Sequence, residues 1–254
     1  VSILEVREIS KYFGGLKALD EVSFSMPEGI IKAVIGPNGA GKTTLFNIIT
    51  GTFPATSGSI HFQNQDITGS KPHHIAAKGI MRTFQNLKLA SHMSVLDNVK
   101  LGLHTQSSSG FFSSMLHLPR SVREEQALEE AARTILELLD LQSYADSQVG
   151  NLSFGKQRAV ELGRALAAEP HIILLDEPAS GLNIQETEEL SELIVSIRDR
   201  GITILLVEHD MELVMDISDE VVVLNFGQKI AEGTPQEIQQ NDDVIAIYLG
   251  EAYA

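Results

Sequence analysis

The 254-residue chain has no cysteine, so no disulfide can staple it and no thiol can act as a nucleophile. A reducing compartment fits that composition. Basic tracts are also missing. Nineteen Lys and Arg against 34 Asp and Glu leave a formal net charge of −15, with an isoelectric point near 4.9. That balance argues against a nucleic-acid partner and against binding to anionic lipid. No apolar run reaches the ~20 residues of a membrane-crossing helix. The opening Val1-Ser-Ile-Leu-Glu5 offers neither a basic start nor a long apolar core, so no secretory leader is expected. These absences predict a soluble protein whose link to a membrane runs through a partner. No internal repeat is visible. The 43% of hydrophobic residues suffice for a substantial core, and the length suits one large domain or a domain with a sizeable subdomain.

What is present begins with Gly36-Pro-Asn-Gly-Ala-Gly-Lys-Thr43, directly after the apolar run Ile30–Ile35. This is the G-x-x-x-x-G-K-[ST] phosphate-binding pattern, between a predicted strand and a predicted helix. Glycines let the backbone curl until successive N–H groups point at one anion, and the following helix adds its positive end. Gly36, Asn38, Gly39, Ala40, Gly41, Lys42, Thr43 and Thr44 are the expected nucleotide ligands. Lys42 would reach the β- and γ-phosphates of ATP, and the Thr43 hydroxyl would ligate Mg²⁺. The bland alternative is a glycine-rich turn that happens to carry Lys-Thr.

Alternation predicts strands over Ile3–Ile9, Val22–Met26 and Gly58–Gln63. The middle of the chain reads as helices over Val95–Leu103 and Arg123–Leu141. Between them His104–Pro119, with five serines, reads as a mobile excursion. A helix follows Gly155 and ends near Ala168. The order then becomes strand His171–Asp176, helix Gln185–Arg200, strand Ile202–Val207, helix Met211–Ile217, and a hairpin turning at Asn225-Phe-Gly227. Strands alternating with helices imply a parallel sheet. The fold expected is α/β: a nucleotide-binding core with an antiparallel β subdomain, interrupted by an inserted α-helical subdomain. Its boundaries are drawn at 1–84 for the first part of the core, 85–165 for the helical insertion and 166–254 for the second part.

The strand His171–Asp176 ends in two carboxylates, Asp176 and Glu177. In open α/β sheets ligands lie at the carboxyl ends of strands, so Asp176 is placed to hold Mg²⁺ and Glu177 to polarise an attacking water. Without a phosphate loop the pair would be an ordinary solvated acidic turn. Leu152-Ser-Phe-Gly-Lys-Gln-Arg158 opens the helix after it, with Ser153 as a cap and Gly155 permitting close backbone approach.

The phosphate loop, the Leu-Ser-x-Gly-x-Gln-Arg segment and the Leu-Leu-Asp-Glu-Pro strand end, in that order, resemble the ABC ATPases that power ABC transporters. The resemblance covers essentially the whole chain. It implies further roles position by position. Gln85 is similar to the glutamine that senses Mg²⁺ and the attacking water. His209 is similar to the switch histidine on the γ-phosphate. Phe13 is similar to the aromatic that stacks on adenine, where a ring without a hydrogen-bonding handle discriminates bases only modestly. Ser153 and Gly155 would bind the γ-phosphate held by a second ATPase subunit, identical or homologous, in a head-to-tail dimer. Three positions depart from the common pattern: Phe154 replaces a glycine, Lys156 a glutamine and Asn183 an aspartate. The usual contact of that glutamine therefore does not carry over to Lys156.

Several stretches resemble the branched-chain (hydrophobic) amino-acid uptake ATPases: Phe13–Leu19, Thr44–Gly51, Gly79–Asn86, Met93–Val99 and Glu177–Asn183. In that branch Asn183 and an aromatic near Phe154 are expected. The resemblance implies transmembrane permease partners and a peripheral place on the cytoplasmic face of the cell membrane. The lipopolysaccharide-export ATPases are similar over several of the same stretches. A soluble ABC ATPase of DNA repair or translation would bring a second cassette, a coiled coil or basic tracts, and none occurs. A GTPase would need Asn-Lys-x-Asp, which is also missing. The helix carrying Met93, Leu96, Val99 and Leu103 is expected beside the permease, the alternative being that all four pack inside the helical subdomain. Asn86, Leu87, Lys88 and Leu89 before it are the expected exposed loop contacts. The remaining histidines show no metal-like spacing.

Overall fold

The structure is a computed structural model that describes residues 2–83, 85, 87–103 and 119–251. It divides into two compact units. The first comprises Val1–Arg82, His171–Ser180 and Ser191–Ala254; the second comprises Thr83–Pro170 and Gly181–Leu190.

The first unit opens with a hairpin of β1 (Ser2–Phe13) and β2 (Leu16–Pro27). β4 (Ser57–Phe62) pairs antiparallel with the other edge of β1, and β5 (Gln65–Asp66) follows. The order is β2-β1-β4-β5. Leu4, Val6, Ile9, Val22, Phe24, Ile60 and Phe62 are buried in its core. Both hairpin strands outrun the sequence expectation because register shifts interrupt the simple alternation, with Glu8 and Glu21 taking positive φ.

The second sheet of this unit has the order β10-β9-β3-β8-β7-β6. β3 (Ile31–Ile35), β7 (Ile172–Asp176) and β8 (Thr203–Val207) are buried at every position. A strand covered on both faces needs a continuous apolar run rather than alternation, and these three have one. β6 (Ile80–Arg82) escaped the sequence reading, since three residues are too few to show a period. β9 (Glu220–Asn225) and β10 (Gln228–Gly233) form the expected hairpin. Phe226 and Gly227 turn it at φ 46° and 79°, the mirror-image turn that suits strand twist. The helices are α1 (Lys42–Ile49), α2 (Pro72–Ala77), most of α6 (Ile184–Asp199), α7 (Met211–Ile217), α8 (Pro235–Gln239) and α9 (Asp242–Glu251).

The second unit is helical. α3 (Val95–Leu103) packs on α4 (Pro119–Leu138) and α5 (Phe154–Leu166). Gly102 lets α3 approach α5 so closely that a Cβ there would stand 2.1 Å from the Arg164 carbonyl oxygen. α4 ends three residues earlier than its apolar pattern suggests, and Asp140 follows at φ 52°. The serine-rich stretch up to Leu118 lies outside the described residues. Asn86 also lies outside them. Of the two readings of α3, packing holds for Leu96, Val99 and Leu103, which are buried, while Met93 is 36% exposed.

One buried cation ties the two sheets of the first unit together. Lys32, 1% exposed, forms ion pairs with Glu220 at 2.8 Å and Glu232 at 2.6 Å. It also donates to the Ser25 carbonyl and lies 5.6 Å from the Phe24 ring centroid. Burial works against ionisation of Glu232, yet Lys229 and Lys32 outweigh it and hold its carboxyl below the usual range. Replacing Lys32 by Ala removes the cation and leaves a void. Urea unfolding of Lys32→Ala should therefore show a loss of about 3 kcal/mol, the low end for a broken buried pair because both carboxylates stay partly hydrated. A loss under about 1 kcal/mol would mean the pair is only a surface contact.

Candidate functional site

Three strand ends are level in the parallel sheet. Val34 of β3 is registered with Val207 of β8, and Val207 with Asp176 of β7. Residues 36–41, 177–180 and 208–210 leave these ends side by side. Chemistry-bearing side chains far apart in sequence therefore meet at the carboxyl edge, where open α/β sheets bind ligands.

The first of these segments is the phosphate loop. Gly36, Gly39 and Gly41 have φ of 146°, 82° and 104°. Gly36 passes so close to β9 that a Cβ would stand 2.0 Å from the Leu224 carbonyl oxygen. Gly41 caps α1 in a left-handed conformation, with Ala18 and Leu19 of β2 against it. The β9–β10 turn braces the loop, since Gly227 N donates to the Ala40 oxygen at 3.0 Å. Lys42 is only 7% exposed, and its Nζ donates to the carbonyls of Gly36 at 2.5 Å and Pro37 at 3.1 Å. The ammonium thus lies inside the curl of the loop. Asn38, Gly39 and Thr43 are exposed, Thr44 is half-buried and Ala40 is buried. A cradle that excludes side chains and holds a lysine in its concavity fits a polyphosphate.

Asp176 is 6% exposed, and its Oδ2 lies 2.6 Å from Arg82 Nη2. Arg82 also donates to Asn47 at 2.7 Å and Thr50 at 3.3 Å, both at the far end of α1's course. Sequence reasoning missed Arg82, since the short strand that it closes was itself not legible. Glu177 follows at φ 48°, its N–H donating to the Val207 oxygen at 2.9 Å. His209 Nδ1 lies 4.0 Å from Glu177 Oε2 and 3.5 Å from Glu208 Oε2. The hydroxyl of Thr43 and the carboxylate of Asp176 are hard oxygen donors, the kind Mg²⁺ uses together with phosphate oxygens. Among the described residues no cluster of three His, Cys, Asp or Glu side chains could hold a metal by itself.

Phe13, at the β1–β2 turn, is 43% exposed and meets Phe53 edge-on at 5.8 Å. Lys11 Nζ lies 5.0 Å from the Phe13 centroid. Phe53 was not singled out by sequence, because nothing in its local context connects it to β1.

The remaining candidates lie in the second unit. Gln85 is exposed, and its carbonyl accepts from Arg158 Nη2 at 2.5 Å. Arg158 is itself 3% exposed and paired with the equally buried Glu161 at 3.2 Å. Ser153 caps α5, accepting from Lys156 N at 3.4 Å. Gly155 N donates to Glu186 Oε1 at 3.2 Å. The other oxygen of Glu186 accepts from Asn183 N at 3.2 Å and Asn183 Nδ2 at 3.0 Å. The N–H groups of Asn183 and Gly155 hold the Glu186 carboxyl below its usual range. Lys156 is turned onto Tyr144, with Nζ 2.6 Å from the hydroxyl and 4.1 Å from the ring centroid. The Phe154 ring lies against Arg158, 5.2 Å from its guanidinium carbon. Among the described residues no helix is long and apolar enough to cross a membrane.

Comparison with known proteins agrees with this geometry. Residues 19–180 match the ABC transporter family, and residues 228–254 match the family described as branched-chain amino acid ATP-binding cassette transporter. The chain is 43% identical over 251 residues to the high-affinity branched-chain amino acid transport ATP-binding protein BraF of Pseudomonas aeruginosa, covering 98% of both chains. It is 44% identical to the corresponding LivG of Escherichia coli, again covering 98% of each. Among solved structures, an ATP-binding cassette of an ABC transporter in its ADP conformation superposes with a TM-score of 0.86 at 37% identity, over 98% of this chain and 99% of that one. A nucleotide-free cassette gives 0.84 at 36% identity, with the same coverage.

The loop geometry separates two glycines. Gly41 and Gly39 both have positive φ, but only Gly41 would place a Cβ against backbone, 2.6 Å from the Ala18 oxygen. Gly39→Ala should cost about 1 kcal/mol in urea unfolding. Gly41→Ala should cost about 2–3 kcal/mol more, as overpacking does. Equal losses would mean that β2 yields at no cost.

Proposed function

The chain belongs to the ABC transporter family, and from that membership we propose that it is the ATP-binding and ATP-hydrolysing subunit of a transporter importing branched-chain amino acids. The observation that carries the reading is Lys42, buried within a glycine cradle whose neighbouring strand ends present Asp176, Glu177 and His209. Branched-chain amino acids as the solute are supported by relatives named for branched-chain amino acid transport along 98% of the chain.

The loop N–H groups and Lys42 bind the phosphates of ATP. The lysine exchanges its carbonyl partners for β- and γ-phosphate oxygens. Thr43 and Asp176 would hold Mg²⁺, which would supply neutralising charge at the phosphates. Glu177 takes the proton of the attacking water, and His209 contacts the γ-phosphate. Phe13, backed by Phe53, stacks on adenine.

The first unit is the nucleotide-binding core, and the helical unit carries the signature segment. Two copies, or this chain and a homologue, pair head to tail. The γ-phosphate bound by one copy then meets Ser153 and Gly155 of the other. Glu186 occupies the Gly155 N–H in the structure described here, so that donor is released as the phosphate arrives. Permease subunits hold the dimer at the cytoplasmic face of the membrane, and the half-buried loop residues Leu87 and Leu89 lie on the segment we assign to them.

Lys42→Ala should weaken ATP binding about 10- to 150-fold in calorimetry, the worth of one charged hydrogen bond. Near-normal affinity would overturn the role of Lys42. Glu177→Gln should bind ATP normally while turnover falls about 10²- to 10⁴-fold. Light scattering with ATP should then show more dimer than wild type. The solute is tested in vesicles carrying the co-purifying permeases, where ATP should drive uptake of leucine, isoleucine and valine. Transport of other solutes only would overturn the branch assignment.

A further inference from the structure

Glu208 is fully buried, yet among the described residues no Lys or Arg forms an ion pair with it. Its partners are backbone donors from two loops. Oε1 accepts from Ala179 N at 2.8 Å, and Oε2 accepts from His209 N at 2.9 Å and Asp210 N at 3.4 Å. Leaving a charge in the interior is costly unless hydrogen bonds satisfy it, and here converging N–H groups do so. Only an acceptor on both oxygens fits this arrangement. An amide of the same shape would turn an NH₂ group onto an N–H.

The same carboxylate stands behind an imidazole. His209 Nδ1 lies 3.5 Å from Glu208 Oε2 and 4.0 Å from Glu177 Oε2, and the histidine side chain is 62% exposed. Two acceptors on the Nδ1 side favour the tautomer with the proton on Nδ1. Nε2 is then the nitrogen left for a ligand. Ala179 N, held by the other oxygen, lies two residues beyond Glu177. One buried side chain thus fixes the backbone on both sides of the Glu177–His209 pair.

We infer that Glu208 is a positioning residue for ATP hydrolysis, holding His209 in the Nδ1–H tautomer and locking the segment after Glu177 to the segment carrying His209. The inference rests on the ATPase reading only for its effect on rate; the tautomer it assigns is independent of nucleotide.

Two measurements test it. In the wild-type protein labelled with ¹⁵N at histidine, long-range proton–nitrogen spectra at about pH 8, where imidazole is neutral, should show His209 as Nδ1–H. The His209→Ala variant assigns the signal. Predominant Nε2–H overturns the inference. In kinetics, Glu208→Gln should lower kcat about tenfold or more while ATP affinity changes less than about threefold. In a His209→Ala background the same substitution should lower the remaining kcat by a smaller factor than in the wild type, because one of the two groups it positions is gone. An unchanged kcat in the single variant, or an equal loss in both backgrounds, overturns the inference. Should Glu208→Gln fail to fold, the wild-type tautomer still decides. Absence of any ATPase activity in the wild type would count against the proposed function and leave the tautomer result standing.

Discussion

The register of three parallel strands is the constraint on which the site of the first unit depends. Val34, Val207 and Asp176 are neighbours across β3, β8 and β7. A slip of one residue in any pair would turn its side chains to the opposite face and move one loop out of line. All three strands are buried along their whole length, so close packing on both faces, rather than an in–out alternation, specifies the register. Burying apolar area on both faces stabilises by about 25 cal/mol per Å². The core thereby fixes which polar residues stand beside one another at its edge.

That edge concentrates charge that the core could not hold unpaired. Lys42 is hydrogen-bonded by loop carbonyls, Asp176 is paired with Arg82, and Glu208 is hydrogen-bonded by backbone N–H groups. Each partner set is assembled from a different stretch of chain. Arg82 links β6 and the C-terminal end of α1 to the carboxylate that ends β7. Such partners hold the side chains in place before any ligand arrives, which is the condition for electrostatic preorganisation.

In the helical unit the corresponding economy is a shared carboxylate. Glu186 closes the start of its own helix through Asn183 and reaches the start of α5 through Gly155. Helix starts carry unsatisfied N–H groups and a positive dipole end, and one carboxylate serves both. Lys156, at the start of α5, is held on Tyr144. Asn183 acts as a helix cap, its Oδ1 accepting from Glu186 N at 3.0 Å.

Much of this was legible in the sequence, for local reasons. The phosphate loop is a contiguous string whose glycines are needed for its own backbone conformation, so eight residues announce it. The strands β3, β7 and β8 are continuous apolar runs, and α3 and α7 have the bounds their patterns imply. The α/β class with its antiparallel and helical parts followed from the order of those patterns. Partnerships across the sequence were not legible. Nothing near Arg82 says that it will meet Asp176, 94 residues on. Glu208 reads as a polar residue after a strand, and only the fold buries it between two loops. Phe53 becomes the neighbour of Phe13, and Glu186 that of Gly155, only when their elements pack. The sequence by itself determined which backbone segments curl, extend or coil, because those choices depend on residues a few positions apart. The tertiary structure alone decided which charges are buried and by what they are balanced, because desolvation and pairing depend on everything within a few ångströms, whatever its place in the chain.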